Sequence, residues 1–248
     1  MIQKTDAVLL KKQDLRETSL FLTFYTKTSG KIYGVMKGIR GQKGQYGFSP
    51  QVFSLNEVVF YERKDKEIYT VSQCELKDFF ATIRESLERT SYASYFIELI
   101  NSLTAVSEKN EAMFDLLVNS LKMLCENASP RRTARVFEIR LLSLLGLMPQ
   151  LRSCIGCSQP LGSKALFSLK NGGVMCGACA AKERGVIPVA IGTLNFMDHV
   201  NRSDWEFVSR IKVSQEVGKQ VENILRRFMD YHLHLKPKSL EFMEKVLA

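Results

Sequence analysis

The chain of 248 residues is long enough for one large domain or two modest ones, and its 45% hydrophobic and 25% charged residues are typical of a globular protein. No apolar run approaches the roughly 20 residues that cross a bilayer, and residues 1–6 lack the apolar core of a signal peptide, so we expect a cytoplasmic protein without a membrane partner. The 35 Lys and Arg residues exceed the 26 Asp and Glu residues by nine, which favours a polyanionic partner.

The positive charge is concentrated in two blocks of the sequence. Residues 1–80 carry 13 basic and 9 acidic side chains, and residues 129–187 carry 9 and 2. Within the first block nothing from Thr18 to Asn56 is acidic, so no local carboxylate cancels its field at a phosphate backbone. One such block is equally well explained as a solvated basic face, but two blocks on one chain favour nucleic acid.

The first eighty residues have the composition and period of short β-strands. Leu20, Leu22 and Phe24 alternate with more polar residues, and a Gly-rich loop covers residues 37–47. The predicted strands are Asp6–Leu10, Ser19–Tyr25, Ile32–Met36, Asn56–Tyr61 and Glu67–Val71. Five short strands without a long helical run predict a small closed barrel of the OB-fold type, and we place this domain at residues 1–78.

Helical period begins after Leu76 and continues to the end of the chain. The first predicted helix starts near Phe79 and is broken or bent near Ser91, and another is capped by Ser129 with Pro130 in its first turn. Further helices are predicted at Met113–Leu124, Thr193–Val200, Ser214–Tyr231 and Ser239–Val246. The predicted architecture is therefore α+β: an OB-fold barrel, then an all-α domain at residues 79–248 that carries an insert at about 150–187.

The insert contains two Cys-x-x-Cys pairs, at Cys154/Cys157 and Cys176/Cys179. Each pair turns two thiolates toward a common centre, and two pairs complete the tetrahedron that Zn²⁺ accepts. The segment from Phe167 to Val174 is predicted to form a hairpin between them. This spacing predicts one structural zinc ion per chain, in a zinc ribbon.

A redox dithiol and a pair of disulfides are the alternatives for these cysteines. A redox site needs only one Cys-x-x-Cys pair, and disulfides do not persist in a reducing cytoplasm. Four thiolate ligands leave no coordination position for substrate water, so a bound metal would serve folding. Cys74 and Cys125 stand alone near apolar residues and are interpreted as core cysteines.

The sequence lacks a Walker-type loop, a Rossmann fingerprint and a Gly-x-Ser-x-Gly elbow. We therefore expect a binding protein rather than an enzyme. A nuclease remains an alternative, and so does a zinc-ribbon and OB-fold protein of transcription or translation that binds RNA or polymerase.

Two short segments resemble those of a known family: Leu-Arg-Glu-Thr-Ser-Leu at residues 15–20 and Val-Met-Lys-Gly-Ile-Arg at residues 35–40. Together with the order of barrel, helices and four-cysteine ribbon, they resemble the bacterial RecO family of recombination mediators over essentially the whole chain. The resemblance implies a nucleoid-associated protein that binds single- and double-stranded DNA and anneals complementary strands. It further implies that RecR and this protein together help RecA replace the single-stranded-DNA-binding protein (SSB), without ATP hydrolysis or nuclease chemistry.

The candidate DNA contacts are basic residues of the two blocks. In the barrel they are Arg16, Lys31, Lys37, Arg40 and Lys43. Family members often place further basic residues directly after the Lys-Gly-x-Arg segment, whereas this chain has Gly41 and Gln42. We therefore expect either a modest intrinsic DNA affinity or an affinity that depends more on the second basic block. Tyr33 and Tyr46 could stack on bases, or simply pack in the barrel and its loop.

The second group of candidates lies at the start of the Pro130 helix: Arg131, Arg132 and Arg135. Basic side chains in a first turn gain nothing from the helix dipole, which already favours anions there. We therefore expect them to contact DNA phosphates or an acidic protein tail such as that of SSB. The alternative is ion pairing with acidic residues of the segment 81–128.

Overall fold

The computed structural model describes residues 1–39, 50–62, 67–126, 129–162 and 165–246. The strands are β1 (Ile2–Leu15), β2 (Ser19–Thr26), β3 (Gly30–Met36), β4 (Leu55–Tyr61), β5 (Ile68–Asp78), β6 (Ala165–Ser168), β7 (Gly173–Cys176) and β8 (Ile187–Val189). The helices are α1 (Ala81–Arg84), α2 (Leu87–Leu103), α3 (Glu111–Cys125), α4 (Pro130–Leu144), α5 (Gly177–Ala180), α6 (Ile191–Arg202), α7 (Trp205–Arg210), α8 (Gln215–Leu233) and α9 (Lys238–Val246). They form two units, the first of Met1–Asn127 with Pro237–Ala248 and the second of Ala128–Lys236.

Strands β1 to β5 close into a barrel in the order β1-β2-β3-β5-β4, which confirms the predicted OB-like domain. Neighbouring strands are antiparallel except β3 and β5, which run parallel. The alternating residues Leu20, Leu22 and Phe24 are fully buried in the barrel core, as the period of two predicted. Closure leaves these strands without a free edge.

One part of the outer barrel surface is covered by the loop between α2 and α3. Ser107 donates its backbone N–H to the carbonyl of Lys31, and a Cβ at Gly30 would lie 1.9 Å from the carbonyl oxygen of Glu108. Gly30 also has a φ of +64°, so the close approach and the backbone conformation both require glycine here. This contact fixes the start of β3 beneath the helical part of the first unit.

The break in the first helical stretch lies at Glu85–Ser86, so the predicted break near Ser91 is wrong. Ser86 caps α2 because its side chain accepts the backbone N–H of Arg89. Ser91 is buried inside α2, where its hydroxyl donates to the carbonyl of Leu87 and leaves the helix continuous.

The last helix, α9, returns to the first unit and packs on α2. Glu98 of α2 accepts the backbone N–H groups of Lys238 and Ser239, at 2.9 Å each, and the hydroxyl of Ser239 at 2.5 Å. A carboxylate in this position satisfies the free donors at the start of α9 and interacts favourably with its dipole.

In the second unit, α4, α6 and α8 pack together beside a three-stranded antiparallel sheet of order β7-β6-β8. The predicted hairpin is present as β6 and β7, and Pro130 begins α4 as expected, although Ser129 makes no side-chain capping bond. The short elements α5, α7 and β8 were not predicted. Across the described ranges, none of the helices is both long enough and apolar enough to traverse a lipid bilayer.

Candidate metal centre and cationic surfaces

The four cysteines of the insert converge at one point of the second unit. Cys154 and Cys157 lie on a turn before β6, Cys176 ends β7, and Cys179 lies in α5. The four Sγ atoms all lie within 4.8 Å of one another, and those of Cys157 and Cys176 are 3.9 Å apart. A tetrahedron with metal–sulfur bonds of about 2.3 Å has edges of about 3.8 Å. The donor set and its spacing therefore fit a four-coordinate metal ion.

Backbone donors favour the thiolate form of Cys154. The N–H of Cys176 donates to its Sγ at 3.3 Å and the N–H of Gly156 donates at 3.4 Å. These bonds, the one from Cys176 above all, lower the pKa of the Cys154 thiol to about 6 from an ordinary value of 9.0. Because thiolate is the metal-binding form, the surrounding backbone prepares this ligand before any metal arrives.

The ribbon offers little support for the redox alternative. Its strands β6, β7 and β8 are all antiparallel, so the described part of the ribbon contains no βαβ unit of the kind that carries a thioredoxin-like dithiol. Cys74 is buried and Cys125 partly buried, and burial raises the pKa of both thiols. Neither belongs to the four-cysteine cluster.

The barrel candidates differ in exposure. Lys37, directly after β3, is exposed, and so is Arg16, in the turn between β1 and β2 with a φ of 56°. Lys31 is only 6% exposed, and its ammonium donates to the carbonyl of Asn101 at 2.7 Å. Arg40 and Lys43 lie outside the described residues. The cationic surface that the structure describes on the barrel therefore includes Arg16 and Lys37 but not Lys31.

The second group of candidates surrounds a cavity of about 470 Å³ in the second unit. The beginnings of α4 and α8 meet there, so Ser129 and Ser214, the residues preceding the two helices, both line it. Its cationic lining residues are Arg131, Arg132, Arg135, Lys212 and Lys219, against one carboxylate, Glu222, and its apolar lining includes Phe196 and Val213. Two helix N-termini and a surplus of cations make this cavity a favourable place for an anion.

The three predicted arginines play different parts at this cavity. Arg131 is exposed, whereas Arg132 is half-buried and donates to the carbonyl of Ile211 at 2.9 Å. Arg135 is 4% exposed and pairs with Glu138 at 3.0 Å and with Glu222 at 3.7 Å. Arg135 therefore forms structural ion pairs rather than an exposed contact surface, and its partners lie outside the segment 81–128 that the ion-pair alternative named.

The sequence did not indicate Lys212 and Lys219, which lie about eighty residues after Arg131. Their only local signal is Ser214, whose side chain caps α8 by accepting the N–H of Val217 between the two lysines. A capped helix start flanked by lysines is common on solvated surfaces and does not by itself indicate a site. Only the folded structure shows that Lys212 and Lys219 line the same cavity as Arg131.

These features define a class: a protein with an OB-like barrel, a helical unit, a four-thiol group able to hold a metal ion, and cationic surfaces on both units. Residues 1–80 match the family described as Recombination protein O N terminal, and residues 84–241 match Recombination protein O C terminal. The chain therefore belongs to the RecO family, as its resemblance indicated. This membership does not favour the RNA-binding or transcription-factor alternative.

Curated relatives align over nearly the whole chain. A protein of Pelotomaculum thermopropionicum named DNA repair protein RecO is 33% identical over 98% of this chain and 94% of its own length. Proteins of the same name from Alkaliphilus metalliredigens and Desulforamulus reducens are 31% and 32% identical, over 99% of this chain in both cases and 100% and 95% of their own lengths.

Proposed function

We propose that this chain is a non-enzymatic recombination mediator that binds single- and double-stranded DNA in the cytoplasm and anneals complementary strands. With RecR, it would help load RecA onto DNA coated with SSB. The observation that carries the proposal is membership of a DNA repair family across both units, joined to a basic barrel.

The barrel is proposed as the first DNA surface. Arg16 and Lys37 are exposed at the same end of the barrel, because Lys37 follows Met36, which pairs with Leu20 at the start of β2. Arg40 and Lys43 continue the basic segment. A few cations on turns hold a phosphate backbone mainly through counterion release, which is weak enough at physiological salt to permit transfer to another protein.

The cavity between α4 and α8 is proposed to bind the acidic C-terminal tail of SSB. A half-open cavity of about 470 Å³ is too small for a duplex but large enough for a few side chains of a peptide. Phe196 and Val213 offer apolar contact, while Arg131, Lys212 and Lys219 offer charge to carboxylates. Contact of the same cations with DNA phosphates is the alternative, and charge reversal at Arg131 and Lys212 distinguishes the two ligands.

The four-cysteine group is proposed to hold one Zn²⁺ ion. The residues that would bind it are Cys154, Cys157, Cys176 and Cys179, whose sulfur atoms have the required spacing. When bound, the metal would cross-link the turn before β6 to the end of β7 and so supply folding energy to the ribbon.

The proposed function is tested by strand annealing. Complementary oligonucleotides, one labelled with a donor and one with an acceptor dye, are mixed with and without SSB, and with this protein at increasing concentration. We expect faster annealing of bare strands, and annealing of SSB-coated strands only when this protein is present. Failure to bind or anneal any DNA at low salt would contradict the proposal, and cleavage of labelled DNA in Mg²⁺ would instead favour a nuclease.

A further inference from the structure

Two aromatic rings lie side by side on the outside of the barrel. The rings of Phe21 on β2 and Tyr33 on β3 have centroids 5.8 Å apart and planes inclined by 28°. Both side chains are only partly buried, whereas their strand neighbours Leu20, Leu22 and Ile32 are enclosed in the core. Because side chains alternate along a strand, Phe21 and Tyr33 occupy the outer face of the barrel.

Strand register extends this pair into an apolar strip. Phe21 pairs directly with Val35, which is partly buried, and Tyr33 pairs with Ile68 on β5, which is 49% exposed. The strip therefore crosses three neighbouring strands. An aromatic pair packed within a folded protein would normally be enclosed, so a partly exposed pair beside an exposed isoleucine marks a contact surface.

Cations flank the strip on its open sides. Lys37 continues the outward row of Tyr33 and Val35 beyond the end of β3, and the exposed Lys11 on β1 pairs with Thr23 next to Phe21. The strands β2 and β3 themselves belong to the carboxylate-free segment 18–56. This combination of π-faces and positive charge complements a strand with unpaired bases and a phosphate backbone.

We propose that Phe21 and Tyr33 form a stacking platform for the bases of single-stranded DNA, which gives this protein a preference for single strands over duplex. The proposal rests on the DNA-binding function proposed above and names the form of DNA that this face selects. In a duplex the base faces are stacked on one another and hidden, so a duplex can use the flanking cations but not the rings.

The test uses the full-length protein with an oligonucleotide of thirty thymidines and a thirty-base-pair duplex. Phe21→Leu and Tyr33→Leu keep an apolar side chain on the sheet but remove a π-face, while Tyr33→Phe keeps the ring. Tyr231→Leu removes an exposed tyrosine of α8 in the second unit and is the matched control. We expect each leucine variant of the strip to weaken single-strand binding at least about fivefold while duplex affinity changes less than twofold. Tyr33→Phe and Tyr231→Leu should resemble the wild type.

Two further measurements separate stacking from charge. Since the rings neutralise no phosphate, the leucine variants should keep the wild-type slope of log K against log[salt], whereas Lys37→Ala should lower it by about 0.7. An oligonucleotide with abasic sites should bind the wild type more weakly than the intact strand. This difference should shrink in the double variant Phe21→Leu with Tyr33→Leu.

If the leucine variants lost affinity equally for single strands and for duplex, or for neither, the stacking platform would be contradicted. If the leucine variants kept DNA affinity but lost binding to RecR, the strip would be a protein interface and the proposal would be wrong. These outcomes are distinguishable from failure of the proposed function, because that failure would show as a wild-type protein that binds neither form of DNA.

Discussion

Lys31 and Lys37 belong to the same carboxylate-free stretch and to the same outward row of β3, yet their side chains lie in different surroundings. The loop before α3 covers the beginning of β3, so Lys31 is enclosed and donates to the carbonyl of Asn101 in the last turn of α2. Lys37 lies beyond the covered part and is exposed. The sequence predicted that both lysines belong to a basic segment. It did not predict that the loop between α2 and α3 covers Lys31, because the covering residues come about seventy positions later.

The two lysines give a matched pair of substitutions. Lys31→Met removes the donor to a carbonyl near the C-terminus of α2 and should lower the free energy of unfolding by about 1–2 kcal/mol, measured by urea denaturation. Its DNA affinity and salt dependence should stay those of the wild type. Lys37→Met should leave the free energy of unfolding unchanged but weaken DNA binding and lower its salt dependence. Equal losses of DNA affinity in the two variants would show that Lys31 reaches DNA after all.

Glu98 is the residue that anchors α9, and its effect should depend on pH. Burial, the largest single influence, raises the pKa of its carboxyl, but hydrogen bonds from Ser239 and Lys238 outweigh it and hold the pKa below the ordinary value of 4.5. A carboxyl with a lowered folded-state pKa stabilises the fold above that ordinary value, and the stabilisation is lost as pH falls through the folded-state pKa.

Glu98→Gln should therefore lower stability by about 1 kcal/mol at pH 7, and this loss should shrink as pH falls below 4.5 and through the folded-state pKa of the wild-type carboxyl. Urea denaturation over a series of pH values from 7 downward measures the difference, and amide exchange of residues 238–246 should accelerate in the variant at pH 7. Glu241→Gln changes an exposed carboxyl on α9 itself and serves as the control. A difference between wild type and Glu98→Gln that is constant with pH would contradict this role.

At the scale of elements, the long periodic segments were predictable and the short ones were not. The barrel strands and the helices α3, α4, α6, α8 and α9 follow clear periods of two or 3.6 residues. The helix α7 has six residues and β8 has three, so neither completes enough of a period to stand out. The break before α2 was misplaced because Ser91 and Ser86 are equally plausible interruptions until the capping bond of Ser86 is visible.

The ribbon is the element whose folding should depend on metal. Protein purified without chelator should contain one zinc ion per chain, and Cys176→Ser, which removes one of the four ligands, should lose it. Residues 150–187 should then exchange amide hydrogen rapidly while the barrel keeps its protection. Cys125→Ser, outside the cluster, should retain the metal. A well-folded wild-type ribbon without bound metal would contradict this prediction.

The cavity at the beginnings of α4 and α8 is tested by reversing two exposed charges. Arg131→Glu with Lys212→Glu should weaken binding of a synthetic peptide of the acidic SSB tail at least about tenfold, since two attractions become repulsions. Both side chains are exposed, so the thermal midpoint should move little. Calorimetric titration measures the peptide affinity.

The control for this pair is Lys170→Glu with Lys182→Glu, an equal change of charge at exposed positions outside the cavity. If the control weakens peptide binding as strongly, the effect comes from overall charge and the cavity is not the site. If peptide binding survives in the cavity variant but DNA binding falls, the cations contact phosphates instead.

For the whole molecule, the spacing of residues in the sequence predicted the four-cysteine cluster but not the cavity at the beginnings of α4 and α8. The four cysteines are recognisable as a possible metal site within 26 residues of sequence, because a Cys-x-x-Cys turn fixes its own local geometry. The cavity brings together Arg131 of α4 and Lys212 of the segment between α7 and α8, and no local sequence pattern encodes that proximity. The first unit likewise contains both the N-terminal barrel and the C-terminal α9. The membership of α9 depends on its packing against α2, which the sequence does not reveal.

Net charge alone would attract DNA to any part of this molecule, so the effect of a specific surface has to be distinguished from the effect of total charge. Replacing Lys37, Arg40 and Lys43 by Ala lowers the formal net charge from +9 to +6. If each cation neutralises one phosphate, the slope of log K against log[salt] should decrease by about 2 for single strands and nearly 3 for duplex. Replacing Lys122, Lys236 and Lys245 by Ala causes the same loss of charge at exposed positions elsewhere. This control should leave the slope nearly unchanged, because distant charges are screened within about 10 Å at 0.1 M salt. Equal slopes in the two variants would mean that DNA contacts the protein away from the loop after β3.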